Sequence, residues 1–116
     1  MRIQITTQNM SLTNALRELV HTRLRHALGR FAHRIQDAAV SFEDVNGPRG
    51  GRDMQCRIKL LLRPRGEVNV SAVAVFPGAA LSEAAQRACR CVRSRTRRRW
   101  MLRRRTRDAL DVGSAA

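Results

Sequence analysis

The chain has 116 residues, 23 of them Lys or Arg and 9 of them Asp or Glu, which gives a formal net charge of +14. This length suits one domain with a modest core. No apolar run reaches the roughly 18 residues of a membrane span and the N-terminus lacks the apolar region of a secretory signal, so we expect a cytoplasmic protein.

The first two predicted elements are a short strand and an amphipathic helix. Residues 2–7 alternate Ile3 and Ile5 with polar neighbours, which is the period of a half-buried strand. Either Ser11 or Thr13 can cap the helix that follows. Its apolar positions recur at helical spacing and are Leu12, Leu16, Leu19, Val20, Leu24, Ala27, Leu28 and Phe31. The opposite side of this helix is basic, with a single acidic residue, Glu18.

Alternation of apolar and polar residues predicts three further strands, at residues 35–43, 54–62 and 67–76. In the first of them, Ala38, Val40 and Phe42 share one face. The stretch 44–53 contains Asn-Gly and Gly-Gly pairs that tolerate positive φ, so it predicts a long hairpin loop.

The last predicted element is a helix that changes character along its length and begins after Pro77 and Gly78. Its first half carries an apolar stripe: Leu81, Ala84, Ala85, Ala88, Cys91 and Val92. Between residues 84 and 107 there are eleven arginines, half of the chain's 22, and no Asp or Glu. Like charges at i,i+4 repel each other, and a solvated helix face normally mixes signs. A GC-rich genome would explain why the chain uses Arg in place of Lys, but it would not explain the total positive charge. The pattern therefore predicts a polyanion partner.

These elements predict an α+β fold, a single domain in the order β-α-β-β-β-α, with a four-stranded sheet and two helices packed on one face. The two basic helix surfaces would then lie side by side. We assign residues 1–98 to this domain and residues 99–116 to a basic C-terminal extension that we expect to fray at its end.

Candidate catalytic and metal-binding residues are few. Cys89 and Cys91 would point about 200° apart on a helix, which is poor zinc geometry. The histidines do not share a helix face: His21, His26 and His33. The acids are scattered, and their one cluster, Glu43, Asp44 and Asp53, falls at a hairpin end. We therefore expect no enzyme activity, no cofactor, no metal and no small-molecule substrate.

Several motifs match a known family. The most specific is EDVNGP-x-GG-x-D-x-x-C, which runs from Glu43 to Cys56. Shorter matches lie at Asn9-Met10, in Ala15-Leu16-Arg17 and in Ala79-Ala80-Leu81. Through these residues the chain resembles, over about residues 1–98, the ribosome hibernation promoting factor and ribosome-associated inhibitor family. It departs from the family pattern at Phe76-Pro77-Gly78, where an acidic residue and an aromatic residue usually precede the second helix.

The resemblance implies a protein that binds 16S rRNA on the small ribosomal subunit, blocks the mRNA and tRNA sites, and silences ribosomes in stress or stationary phase. It would be a monomer in the free state. Arg17, Arg87, Arg90 and Arg93 match family positions, and Arg23 and Arg25 fit the basic face. Arg97 completes the predicted rRNA-binding set. Longer relatives add a domain that pairs two ribosomes, for which this chain is too short.

Two questions stay open from the sequence. A generic double-stranded RNA- or DNA-binding protein is the alternative function, although the first strand and the EDVNGP motif argue against it. Trp100 could stack on a base or pack back onto the domain.

Membrane attachment is disfavoured, because the apolar stripe of the second helix is mostly alanine and is needed to cover the sheet.

Overall fold

The computed structural model describes residues 1–45 and 53–115, with side chains described up to residue 98. The elements are β1 (Arg2–Gln8), α1 (Asn14–Leu28), a 3-10 helix (Gly29–Arg34), β2 (Ile35–Asp44), β3 (Met54–Leu62), β4 (Glu67–Ala74) and α2 (Pro77–Ala115). This order confirms the predicted fold class. Most of the predicted hairpin loop, residues 46–52, lies outside the described residues, as does the side chain of Trp100.

The four strands form one mixed sheet in the order β1-β2-β3-β4. β1 runs parallel to β2 and pairs Ile5 with Val40. A parallel pair needs a crossover connection, which α1 supplies. β2 with β3 and β3 with β4 are antiparallel, and Phe42 pairs with Cys56, which in turn pairs with Ala72. The apolar side chains of all four strands therefore point to the same face.

Both helices cover that apolar face, as predicted, and none of the described strand side chains on the opposite face of the sheet is buried. One cluster of buried residues joins α1, α2 and the sheet. Its members from the sheet are Ile35, Ala38, Val40, Phe42, Cys56, Ile58, Leu60, Val68 and Ala72. Its members from the helices are Leu16, Val20, Leu24, Leu28, Ala80, Leu81, Ala84, Ala85, Ala88 and Val92. This shared core fixes the relative position of the two helices.

The start of α1 is capped by Thr13, one of the two predicted residues. Its hydroxyl oxygen accepts a hydrogen bond from the backbone N–H of Leu16 at 3.1 Å, which satisfies a donor that the first turn leaves free. The α-helix ends at Leu28, earlier than the predicted apolar pattern, and the chain continues as the 3-10 helix to Arg34. Phe31 remains packed against the core from this tighter turn.

Small residues let α2 approach its neighbours closely. Pro77 occupies the first helical position, where a missing N–H costs nothing. A Cβ on Gly78 would stand 3.2 Å from the side chain of Leu19, so this glycine marks the close contact of α2 with α1. Among the side chains of α2 that the structure describes, up to residue 98, the last buried one is Val92. α2 has 39 residues and is about 58 Å long, so it continues well past the core.

No helix within residues 1–45 and 53–115 is both long enough and apolar enough to cross a bilayer.

The burial of Cys56 gives a testable chemical prediction. Burial raises the pKa of its thiol to about 12, so at pH 8 only about one molecule in 10⁴ carries the thiolate. Cys89 and Cys91 are half-buried. In the native protein at pH 8 we expect iodoacetamide to modify Cys89 and Cys91 long before Cys56, as followed by mass spectrometry. In 8 M urea, used as the control, all three should react alike. Equal reaction of Cys56 in the native protein would contradict the buried position.

Candidate nucleic-acid interface

The two helices lie side by side and run in the same direction. Leu19 of α1 lies beside Gly78 of α2, and farther along, Phe31 of the 3-10 helix that follows α1 and Arg93 of α2 line a common groove. Each helix follows a strand and packs back over it, and β4 is parallel to β2, which explains the shared direction. Basic residues at the C-terminal end of α1, in the 3-10 helix and in the middle of α2 are thereby brought together.

The groove between the helices, which we call the interhelical groove, has a volume of about 340 Å³. Its lining residues are His26, Ala27, Arg30, Phe31, Gln86, Cys89, Arg90 and Arg93. Ala27, Phe31 and Cys89 pack against the core and form an apolar floor. No carboxylate is among these lining residues. The groove can therefore take an anionic group at its arginines and an apolar or aromatic surface at its floor.

Arg90 and Arg93 are the two predicted rRNA-binding residues that the fold brings to this groove. Both are exposed, as is Arg97, which follows Arg93 by one helical turn. The three form a row along α2 in which every member is three or four residues from the next. A row with this spacing presents guanidinium groups to solvent at regular intervals along the helix, which suits a row of phosphates.

Arg87 is also exposed, but it is engaged with the sheet and with its own helix. Its Nη1 atom donates a hydrogen bond to the backbone carbonyl of Ser71 on β4. Its Nη2 atom donates to the carboxylate of Glu83, one turn earlier, at 2.7 Å. The side chain therefore lies toward β4, on the other side of α2 from the interhelical groove, and the rRNA contact predicted for it remains a prediction.

The three predicted residues of α1, Arg17, Arg23 and Arg25, are exposed but do not line the groove. Their contact with rRNA also remains a prediction. The sequence-based set omitted His26 and Arg30, which do line it. The sequence pattern places Arg30 on the basic side of the first helix, whereas the structure has it in the 3-10 helix that follows. Its position beside α2 depends on the parallel packing of α1 and α2, which no local sequence pattern encodes.

A larger concavity, of about 590 Å³, lies on the open face of the sheet, but it is less suited to a polyanion. Its cations are Arg57 and Lys59. Lys59 forms an ion pair with Glu67 at 3.3 Å. A hydrogen bond from Asn69, followed by the hydrogen bond and charge of Lys59, lowers the pKa of Glu67. This carboxylate therefore stays ionised and offsets the charge of Lys59 at neutral pH.

The structure gathers no metal ligands in the parts it describes: across residues 1–45 and 53–115, no three His, Cys, Asp or Glu side chains lie close enough to hold an ion together. Of the acids that cluster in the sequence, Asp44 and Asp53 both have interaction partners. Val45 donates its backbone N–H to the carbonyl of Asp53 at 3.0 Å, so this end of the hairpin is held by backbone pairing.

Residues 3–100 match the protein family described as sigma 54 modulation protein / S30EA ribosomal protein. Among solved structures, the N-terminal domain of Protein Y from Thermus thermophilus is similar with a TM-score of 0.67 and 24% identity, over 79% of this chain and 96% of that one. A ribosomal subunit interface protein from Coxiella burnetii has a TM-score of 0.71 and 18% identity, over 83% of this chain and 98% of its own. No curated protein matches the sequence.

Proposed function

The chain belongs to the family of sigma 54 modulation and S30EA ribosomal proteins, and from that premise we propose that it is a ribosome hibernation factor. It binds 16S rRNA on the small subunit, occupies the tRNA and mRNA sites, and so inhibits translation in the cytoplasm. The similar Coxiella burnetii protein is described as a ribosomal subunit interface protein, which supports the ribosome as the partner. In this proposal the free protein is a monomer, and inhibition involves no chemical reaction.

The observation that carries the proposal is the interhelical groove. Its arginines, Arg30, Arg90 and Arg93, come from two elements of one rigid core, and no carboxylate lines the groove beside them. Guanidinium groups form paired hydrogen bonds with phosphate oxygens. Since α1 and α2 are held by the same buried cluster and Phe31 packs against it, the backbone positions of the three arginines are set before binding, which limits the entropy lost on association to their side chains.

Recognition in this proposal depends on the shape of the RNA more than on its sequence. Phosphate contacts fix position and orientation but carry no base information. The apolar floor, with Phe31, adds a surface for a ribose or an unpaired base. A folded rRNA surface has its phosphates in fixed positions, whereas a regular duplex offers only one repeated spacing, so the proposal requires a preference for the small subunit over free duplex RNA.

Sedimentation with purified bacterial ribosomal subunits tests this function. At about 150 mM salt we expect saturable binding of one copy per small subunit, displacement by tRNA, and weak binding to the large subunit and to free duplex RNA. If the three groove arginines and Arg97 each neutralise a phosphate, the logarithm of affinity should fall against the logarithm of salt with a slope of roughly −3 or steeper.

Unsaturable binding that is equal for both subunits and for duplex RNA would contradict the proposal. It would make the protein a general binder of double-stranded nucleic acid.

A further inference from the structure

A second pocket rich in arginine lies at the β3–β4 turn, where it faces the part of α2 beyond the core; we call it the turn pocket. Its volume is about 300 Å³. Its lining residues are Arg34, Leu62, Arg65, Gly66, Val92, Arg95, Thr96 and Arg98. None of its four arginines belongs to the predicted rRNA-binding set or to the interhelical groove.

Three separate parts of the chain bring these arginines together. Arg34 ends the 3-10 helix, and its carbonyl accepts a hydrogen bond from the N–H of Arg63 at 2.7 Å, which ties that helix to the turn. The turn is closed by a hydrogen bond from the N–H of Leu62 to the carbonyl of Gly66 at 2.9 Å. Arg65 lies inside this turn. The pocket is therefore built on hydrogen-bonded backbone.

Gly66 shapes the turn over which Arg95 lies. Its φ of 122° falls in a region that residues with a side chain rarely adopt. A Cβ at this position would stand 3.7 Å from Nη1 of Arg95. The guanidinium of Arg95 thus packs directly beside the glycine, and Arg98 lines the same pocket three residues farther along α2.

The charge of the turn pocket is not balanced by its own residues. No Asp or Glu is among the lining residues described for it. Glu67 lies near enough for the charge of Arg95 to lower its pKa slightly, but it already forms an ion pair with Lys59 and accepts a hydrogen bond from Asn69. Four guanidinium groups around one concavity repel each other, so a bound anion would stabilise the folded chain.

We propose that the turn pocket binds a compact oligophosphate, that is, two or three directly linked phosphoryl groups of the kind found in inorganic polyphosphate or in a nucleotide. Four arginines that converge on one cavity match several negative charges close together. Successive phosphates of an RNA strand are separated by a ribose and lie along a convex surface, so they suit a row such as Arg90, Arg93 and Arg97 better. The buried Val92 and the half-buried Leu62 close the bottom of the pocket without competing for the anion.

Calorimetry of the whole protein with sodium tripolyphosphate at about 150 mM salt tests the proposal without ribosomes, so its result does not depend on the proposed function. We expect saturable binding at one site, at least tenfold tighter than that of orthophosphate or of sulfate at equal ionic strength. In the ¹⁵N-labelled protein, the amide signal of Gly66 should shift during the titration.

Paired variants locate the site. Arg65→Gln with Arg98→Gln should weaken tripolyphosphate binding by about tenfold or more, because each lost guanidinium removes charge-assisted hydrogen bonds. Arg90→Gln with Arg93→Gln removes the same charge from the interhelical groove and should change the affinity less than about threefold. Far-UV circular dichroism checks that both variants are folded.

Equal weakening in the two variants, or equal affinity for tripolyphosphate and sulfate, would overturn the proposal in favour of diffuse counterion attraction. The absence of saturable tripolyphosphate binding would also overturn the proposal. If the Arg65→Gln, Arg98→Gln variant then lost affinity for duplex RNA, the turn pocket would be part of an RNA surface.

Discussion

Replacement of Arg90 and Arg93 by Glu is expected to lower the affinity for the small ribosomal subunit by about a thousandfold. Each guanidinium in the interhelical groove would lose a charge-assisted contact worth about 1.5–3 kcal/mol, and each new carboxylate would repel phosphate. A loss of about 4 kcal/mol corresponds to this change in affinity. Sedimentation or fluorescence anisotropy at about 150 mM salt measures it.

The matched control is Arg2→Glu with Arg57→Glu. Both residues are exposed and lie on the face of the sheet opposite the helices. Each pair of substitutions changes the net charge by −4, from +14 to +10, so the two variants share the same general loss of electrostatic attraction. We expect less than about a tenfold loss of affinity in the control. Similar losses in both variants would mean that net charge, and not the groove, governs binding.

Phe42→Ala is expected to destabilise the fold by about 3–5 kcal/mol. Phe42 is 0% exposed, lies on β2, and pairs across the sheet with Thr7 on β1 and Cys56 on β3. Loss of its ring removes apolar burial and leaves a cavity that the surrounding strands cannot close. Since small domains are stable by only about 5–15 kcal/mol, a large part of the stability would be lost. Urea denaturation followed by circular dichroism measures the free energy of unfolding.

Val73→Ala is the comparison for that experiment. Val73 is 50% exposed on β4, so truncation of its side chain should cost less than about 1 kcal/mol. If Phe42→Ala and Val73→Ala had similar effects on the midpoint of unfolding, the core of the domain would not lie between the sheet and the two helices.

The strand and helix pattern could be predicted from the sequence because one face of each element is buried. β3 has the same bounds as the prediction, residues 54–62. Its apolar and polar residues alternate over the stretch that pairs with β2 on one side and β4 on the other. The alternation of β4 runs to Phe76 in the sequence, but the strand ends at Ala74. Ala74 pairs with Met54, the first residue of β3, so the chain beyond it has no partner strand. Phe76 is 59% exposed.

The end of α1 also depends on tertiary structure. Apolar residues continue at helical spacing through Leu28 to Phe31, and both pack into or against the core. The tighter 3-10 helix, Gly29–Arg34, contains Phe31 and still packs it against the core, so the apolar pattern does not distinguish the two conformations. The boundary was therefore predicted too late.

The site was predictable in its charge but not in its geometry. A helix with no Asp or Glu between residues 84 and 107 indicates a cationic surface. The arginine side chains on that helix nevertheless have different surroundings. Arg93 lines the interhelical groove, Arg95 lies over the turn at Gly66, and Arg87 bonds to Ser71. The strand that packs beneath α2 decides which arginine finds a hydrogen-bond acceptor in the protein. Neither the composition nor the helical period predicts which one that is.

The hydrogen bond from Arg87 to Ser71 has a consequence for how molecules of this protein meet each other. Among the described strands, β4 lies at an edge of the sheet and pairs with β3 alone, and the free carbonyl and N–H groups of an edge strand can pair with a strand from another chain. Arg87 occupies one of these carbonyls and holds a bulky cation against the edge. A second copy that approached with its own edge would have to displace this side chain and break its hydrogen bond. At high concentration in the cell, this contact would disfavour edge-to-edge aggregation through an otherwise open strand.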